Sequence, residues 1–366
     1  MDISDLTSDP LTDRCAGALM GAFIGDALAL GPHWYYDLSE QHKDFGTWIT
    51  DYTTPKKGRY HEGLNAGDQS QAGYILKMLL QSLADNGEYS EEDFCKRLDE
   101  ELFPLLDGKP MSGPGGYTSQ SVRKAWQIRV QQGKGWDETG NDADTTEAIE
   151  RTLALAVRYA LNPEKLANTV VSNTVLTQND GLVVSMTVAF NAVLGYLVEG
   201  NKLDTKTSDA LIARVRAGIL PFHVVTSENH GVPDKEKAES TEAGTFASPD
   251  ALLSPSYMAT AAADPDIKIE PAWKVSQVYG MPCAVYHQLP AAYYLAARFA
   301  DDFESAVLHA VNGGGQNQAR AILTGALVGA QTGLSGIPER FINGLSETQM
   351  LLPLCAQIAS QVKKEQ

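Results

Sequence analysis

The chain has 366 residues, 43% of them hydrophobic and 20% charged, a globular composition with ample apolar material for a core. Its length leaves one large domain or two ordinary ones open, since single cores stop growing beyond about 250–300 residues. The 29 basic and 46 acidic residues give a net charge of -17, which repels phosphate backbones and anionic membranes, so neither nucleic acid nor a membrane is an expected partner.

The polar, acidic start MDISDLTSDPLTD has no apolar signal core, and no run is read as reaching the ~18 apolar residues of a membrane span. Cys15, Cys95, Cys283 and Cys355 are scattered without a CxxC pair, which argues against a disulfide framework or a structural zinc site. The expectation is a soluble, cytoplasmic protein.

Helical periodicity runs through the chain. Small and apolar residues form one helical pattern from Arg14 to Leu30, and Ile75, Leu76, Leu79, Leu80 and Leu83 form another before the stop at Gly87. Ser90 with Asp93 opens a helix through Phe94 and Leu98. Asp144 with Glu147 begins the next, carrying Ile149, Leu153, Ala156, Val157 and Ala160 up to Asn162-Pro163. Helices are also predicted over Leu182–Leu197, Asp209–Leu220, Pro290–Ala300, Phe303–Val311, Asn317–Gly333 and Thr348–Val362. Nothing shows sustained period-two alternation, so the fold class is all-α. Residues 223–266 are rich in Ser, Pro, Asp and Glu and read as a surface insertion with one or two short helices behind Ser-Pro dipeptides.

Two helices lack bulk on one face. Gly17, Gly21 and Gly25 are spaced by four, as are Ala321, Gly325, Gly329 and Gly333. An interior glycine costs a helix about 0.8–1 kcal/mol against alanine, so the pattern predicts close backbone approach to another helix.

These helices also carry a family resemblance. The ordered set of G-x-x-x-G-x-x-x-G-D-A at 17–27, an Asp-bearing turn at 66–70, A-V-N-G-G-G at 310–315 before a small-residue helix, and I-P-E-R at 337–340 resembles the ADP-ribosylglycohydrolases over nearly the whole chain. The resemblance implies a single compact, orthogonal all-α bundle over residues 1–366 that hydrolyses glycosidic bonds of ADP-ribose with two magnesium ions in a cleft. The family's T-D-D-T turn reads Gly67-Asp68-Gln69-Ser70 here, and its D-T-D-T segment reads Gln316-Asn317-Gln318-Ala319. A glutamate that commonly follows G-D-A falls at or beside His33. Four of five expected carboxylates are therefore replaced, and amides are poor substitutes for the anionic oxygens that two hard dications need. No dimagnesium centre and no other cofactor are expected.

The pattern is closest to the branch of the jellyfish lens J-crystallins and selenoprotein J, which resemble this chain at Gly313–Asn317, Gly67-Asp68 and His33-Trp34-Tyr35-Tyr36-Asp37. If the family fold holds, Gln69, Gln71, Gln316, Asn317 and Gln318 gather around Asp68, Ser70 and His33. They form either a vacated metal site closed by an amide network or a retooled pocket for a sugar or nucleotide, with a different metal as a third outcome. Backbone N–H groups of the glycine loops at 313–315 and 112–117 are candidate phosphate or ligand contacts, through Gly314, Gly315, Gly115, Gly116 and Tyr117. For metal-free hydrolysis Asp68 is the best acid, with Asp26 and Glu62 behind it, and His33 or His61 is the proton carrier. The expected function is an atypical hydrolase-like or ligand-binding protein for ribosyl or nucleotide-like compounds. The alternatives are a catalytically inactive structural or regulatory protein and, third, a magnesium-dependent ADP-ribosyl hydrolase.

Overall fold

The computed structural model describes residues 3–222 and 249–364. Among them every regular element is helical, and isolated bridges pair Asn141 with Gln178 and Thr145 with Ala284. The all-α expectation holds. The core rests on α1 (Pro10–Ala29), α2 (Gln71–Asn86), α3 (Glu147–Arg158), α4 (Gly181–Val198), α5 (Val285–Arg298), α6 (Asn317–Thr332) and α7 (Thr348–Lys363).

Helix α1 starts earlier than its apolar pattern, because Asp9 accepts from Thr12 N at 2.9 Å and Pro10 takes a first position whose N–H would be orphaned anyway. Every residue from Cys15 to Ala29 is buried. Its glycine stripe lies antiparallel on that of α6: a Cβ on Gly17, Gly21 or Gly25 would come within 2.2 Å of the carbonyl oxygens of Gly329, Gly325 and Ala321 respectively. The expected close approach is thus between these two helices. Its last rung, Gly25 on Ala321, brings the C-terminal end of α1 beside the first turn of α6, which fixes where the site forms.

Three local expectations need correction. Helix α3 begins at Glu147 behind Thr146, and Asp144 does not cap it: its carboxylate accepts from Tyr286 Oη at 2.7 Å. Helix α5 starts at Val285, five residues before Pro290, because Val285 N donates to Asp144 O at 2.8 Å and fixes the entry of the chain. Helix α4 is an 18-residue run of mean hydropathy 1.9, long and apolar enough to cross a membrane, which the sequence reading overlooked. Some 78% of that run is buried inside the fold, against α3 and Pro163–Val175.

Of the insertion expected at 223–266, residues 223–248 lie outside the described residues. Beyond them Pro249–Leu252 forms a 3-10 helix and Ser254–Ala263 an α-helix that opens on Ser254-Pro255 and packs on α5.

Candidate functional site

The C-terminal end of α1 and the N-termini of α2, α3 and α6 converge on one cavity. Ser70, Gln71 and Ile75 line it from α2 and its cap, Glu147, Glu150 and Arg151 from α3, Gln316 and Gln318 from the start of α6, and His61, Tyr117 and Ser119 from loops. The unoccupied space is about 440 Å³ including its opening to solvent, and only a small part of it is enclosed. That is a slot with room for a few waters.

Asp26, next to the last glycine rung, is buried at the floor. It accepts from Ser70 N at 2.8 Å and from the Ser70 hydroxyl, which itself caps α2 by accepting from Ala72 N at 3.0 Å. Burial raises the Asp26 carboxyl to about 7, opposed by Ser70 and by the neighbouring Gln318 amide. Gly73 makes room for this arrangement, because a Cβ there would lie 2.4 Å from both Asp26 Oδ2 and Gln69 Oε1.

Two buried histidines stand side by side, the rings of His33 and His61 4.8 Å apart. Asn317 Nδ2 donates to Ala29 O at 3.3 Å, which turns Asn317 Oδ1 toward His33 Nδ1 at 3.2 Å. His61 Nδ1 meets the Gly115 carbonyl oxygen. Both contacts require a proton on Nδ1, so each Nε2 is a bare acceptor, and each is buried without a partner. Burial holds both rings neutral: it lowers His61 to about 4, and His33 well below its ordinary value with the charge of His61 adding to the effect.

An aromatic wall closes one side. Trp34 has φ 61 and is the one non-glycine with positive φ among the described residues. Its Nε1 donates to Gln316 Oε1, and its ring lies 4.4 Å from Tyr60 and 5.0 Å from Tyr117.

Helix α3 contributes two carboxyls to the lining. Glu147 Oε2 accepts from Ser121 Oγ at 2.9 Å and from the Thr145 hydroxyl, and Glu150 Oε1 accepts from Thr146 Oγ1 at 2.6 Å. No residue among those described donates to Glu147 Oε1 or Glu150 Oε2. Burial raises both carboxyls, Glu150 to about 8 with the charge of Glu147 as the second cause. Arg151 donates to Asn173 Oδ1 at 2.7 Å and Asn173 O at 2.8 Å, and burial lowers its guanidinium to about 10.

Of the residues singled out from sequence, Ser70, Tyr117, Gln316 and Gln318 line the cavity, His33 and Asn317 pair behind His61, and Gln69 lies beside Asp26. Asp68 is not among the lining residues: it accepts from Asn65 N at 2.8 Å and Ser346 Oγ at 2.6 Å, ties that hold one loop to another. Nor do the glycines line it. Gly115 and Gly116, at φ 79 and 71, press on the Ser70–Gln71 backbone and the Tyr60 carbonyl. Gly314 and Gly315 are buried against Tyr35 and Met281, with Gly315 N donating to Tyr35 O at 2.8 Å. Gln69 and Gln318 therefore lie beside Asp26, where the sequence reading centred the amides on Asp68. That reading gave Glu147 only a helix-opening role and omitted Glu150 and Arg151. Their signal is in the sequence, as two acids spaced by three with Arg151 beside the second, on a helix otherwise mostly apolar.

The donors present do not fit a pair of magnesium ions. Asp26, Glu147 and Glu150 each take hydroxyl hydrogens, the remaining groups are amides and imidazoles, and no set of three or more His, Cys, Asp or Glu among the described residues is placed to hold a metal.

A family profile described as ADP-ribosylglycohydrolase matches residues 7–366. A solved structure titled "ADP-ribosylglycohydrolase-related protein complex" superimposes with a TM-score of 0.61 over 97% of this chain and 99% of that chain. At their 18% sequence identity the likeness speaks for the fold alone. No curated protein sequence gives a significant match.

Proposed function

The chain belongs to the ADP-ribosylglycohydrolase family, and from that premise we propose that it is an atypical, hydrolase-like protein that binds ribosyl or nucleotide-like compounds without the family's two magnesium ions. We place it in the branch that resembles the J-crystallins and selenoprotein J.

One observation carries the binding reading over a closed amide network. A closed network satisfies its own polar atoms, yet His61 Nε2 and Gln318 Nε2 on the cavity wall, and His33 Nε2 and Gln69 Oε1 behind it, are buried without a hydrogen-bond partner in the chain. Orphaned buried polar groups cost about 1–3 kcal/mol each, so a set of them is the mark of a site completed by a ligand or by water. If the protein turns over its ligand, the acid and base come from the carboxyls and imidazoles of this cavity. A neutral imidazole can accept a proton, and a carboxyl held protonated by burial can donate one to a leaving group.

The test is a thermal-shift and calorimetric screen with ribose-containing glycosides, nucleosides and ADP-ribose, with metal analysis of the purified protein. Stabilisation by at least one ribosyl compound is expected, rising with concentration as mass action requires. No shift with any of them favours the inactive, structural alternative. Two tightly bound magnesium ions would return the protein to the magnesium-dependent hydrolases.

A further inference from the structure

Among the described residues, three orphaned atoms lie on the cavity wall itself: His61 Nε2, Gln318 Nε2 and the Ser119 hydroxyl, each buried without a hydrogen-bond partner in the chain. The first accepts, the second donates, and the hydroxyl does either. Resting on the binding reading above, we propose that they hold a water molecule, and that this water is the nucleophile of a metal-free, single-displacement hydrolysis of ribosides with His61 as its base and Glu150 as the acid.

A buried water needs two to four polar partners and a space near its own size. The enclosed part of the cavity meets both conditions. Gln318 stands beside both Asp26 and His61, yet its Nε2 bonds to neither, which leaves a gap for a bridging molecule. A water that accepts from Gln318 Nε2 and donates to His61 Nε2 satisfies both atoms at once. His61 lines the cavity, and with its Nδ1 held by the Gly115 carbonyl, Nε2 is the ring nitrogen left to serve it. His33 stands behind it, outside the lining, so it is not the base.

Glycoside hydrolysis in one displacement needs a base on the water and an acid on the leaving group, one unprotonated and the other protonated at the same pH. Burial lowers His61 to about 4, near the ordinary range of a carboxylate base, with the Gly115 carbonyl and Gln318 opposing it. Burial raises Glu150 to about 8, helped by the charges of Glu147 and Asp26 and opposed by Thr146 and Arg151. Between those values His61 is free to accept a proton and Glu150 holds one to give. With the sugar in the open part of the cavity, the water oxygen bonds to C1′ as the bond from C1′ to the leaving atom breaks, its electron pair going to that atom. The leaving atom takes the Glu150 proton, and the water gives a proton to His61 Nε2. His61 then releases its proton to solvent and Glu150 regains one, which closes the cycle. A single displacement inverts the anomeric centre.

The experiment gives the full chain, with a chelator present, the 4-nitrophenyl ribofuranosides of both anomers beside adenosine and inosine. Methanol is added to trap the product as a methyl riboside for NMR. Turnover is expected with the chelator in place, with an inverted methyl riboside and a kcat/KM that falls as Glu150 ionises above about 8. His61→Gln is expected to lower kcat by about 100-fold or more. Glu150→Gln is expected to lose nucleoside turnover yet keep nitrophenyl turnover within about tenfold, because nitrophenolate leaves without a proton. Retained configuration, activity abolished by the chelator, or undiminished turnover in His61→Gln overturns the inference. Calorimetric binding of ribosyl compounds without turnover of any also overturns it and leaves the binding function standing, whereas neither binding nor turnover overturns both. If a variant does not fold, the configuration of the wild-type product still decides.

Discussion

Gly21 and Gly325 stand in reciprocal contact: a Cβ on either would lie 2.1 Å from the other's carbonyl oxygen. The obstacle on both sides is backbone, so neither helix can yield by turning a side chain. The contact lies mid-way along a pair of helices whose far end carries Asp26 and Gln318, so the packing of the core and the geometry of the site are one problem.

Gly21→Ala and Gly325→Ala are each expected to destabilise the protein by about 3 kcal/mol or more, at or beyond the upper end of overpacking costs. Gly181→Ala is the control, because nothing lies within 4 Å of its would-be Cβ and it begins α4. That change is expected to be neutral or stabilising by up to ~1 kcal/mol. Chemical denaturation of the three variants checks the order, and equal effects would show that the glycine stripe is not what holds α1 to α6.

Asp26 makes stability depend on pH in a known direction. Its folded carboxyl sits near 7 against an ordinary 3.8, so its contribution is full below 3.8 and is lost as pH rises through about 7. The swing is on the order of 4 kcal/mol. Asp26→Asn removes it, at the price of about 1 kcal/mol from the rearranged Ser70 contacts. The variant is therefore expected to be less stable than wild type near pH 5 and to equal or exceed it near pH 8. A pH-independent difference between the two would mean that Asp26 titrates normally.

His61 has the opposite sign. Its folded value of about 4 lies below the ordinary 6.5, so its contribution is present above 6.5 and is lost as pH falls toward 4. The swing is on the order of 3 kcal/mol. His61→Gln, whose amide can still donate to Gly115 O, is expected to flatten the acid-side decline seen in wild-type melting temperatures over that window. An unchanged decline would assign acid lability to other groups.

Asp68 and Glu150 separate a loop tie from a site residue. Asp68→Asn is expected to cost about 1 kcal/mol of stability through the Asn65 and Ser346 contacts and to leave riboside affinity within about twofold. Glu150→Gln is expected to weaken ribosyl-ligand binding by about tenfold, since it replaces a carboxyl that lines the cavity and can shift between donor and acceptor with an amide that cannot. A large loss of affinity in Asp68→Asn alone would restore Asp68 to the site.

Much of the fold is readable from the chain because its causes are local and repetitive. The 3.6-residue apolar period marks the helices, and glycines at a spacing of four on two of them announce a contact that needs no side chain. The family resemblance, carried by an ordered set of short motifs, located the amide-rich segments at 67–71 and 316–318. Helix starts were less legible. Asp144 reads as a cap for α3, but a tertiary partner, Tyr286, takes its carboxylate.

What the sequence by itself determined is an all-α core paired along its glycine stripes, and the amide-rich segments at 67–71 and 316–318 that a site would draw on. What only the tertiary structure decided is which carboxyl stands where. Asp68 has the family's position in the motif, yet Ser346, 278 residues away, draws its side chain into a loop contact. Asp26, Glu147 and Glu150 come from helices far apart in sequence and meet because α1 locks onto α6 and α2 packs on α3. Hydrogen-bond partners and burial are properties of three-dimensional neighbours, so the spacing of Glu147 and Glu150 marks one face of a helix without revealing that this face meets Asp26 at a common cavity.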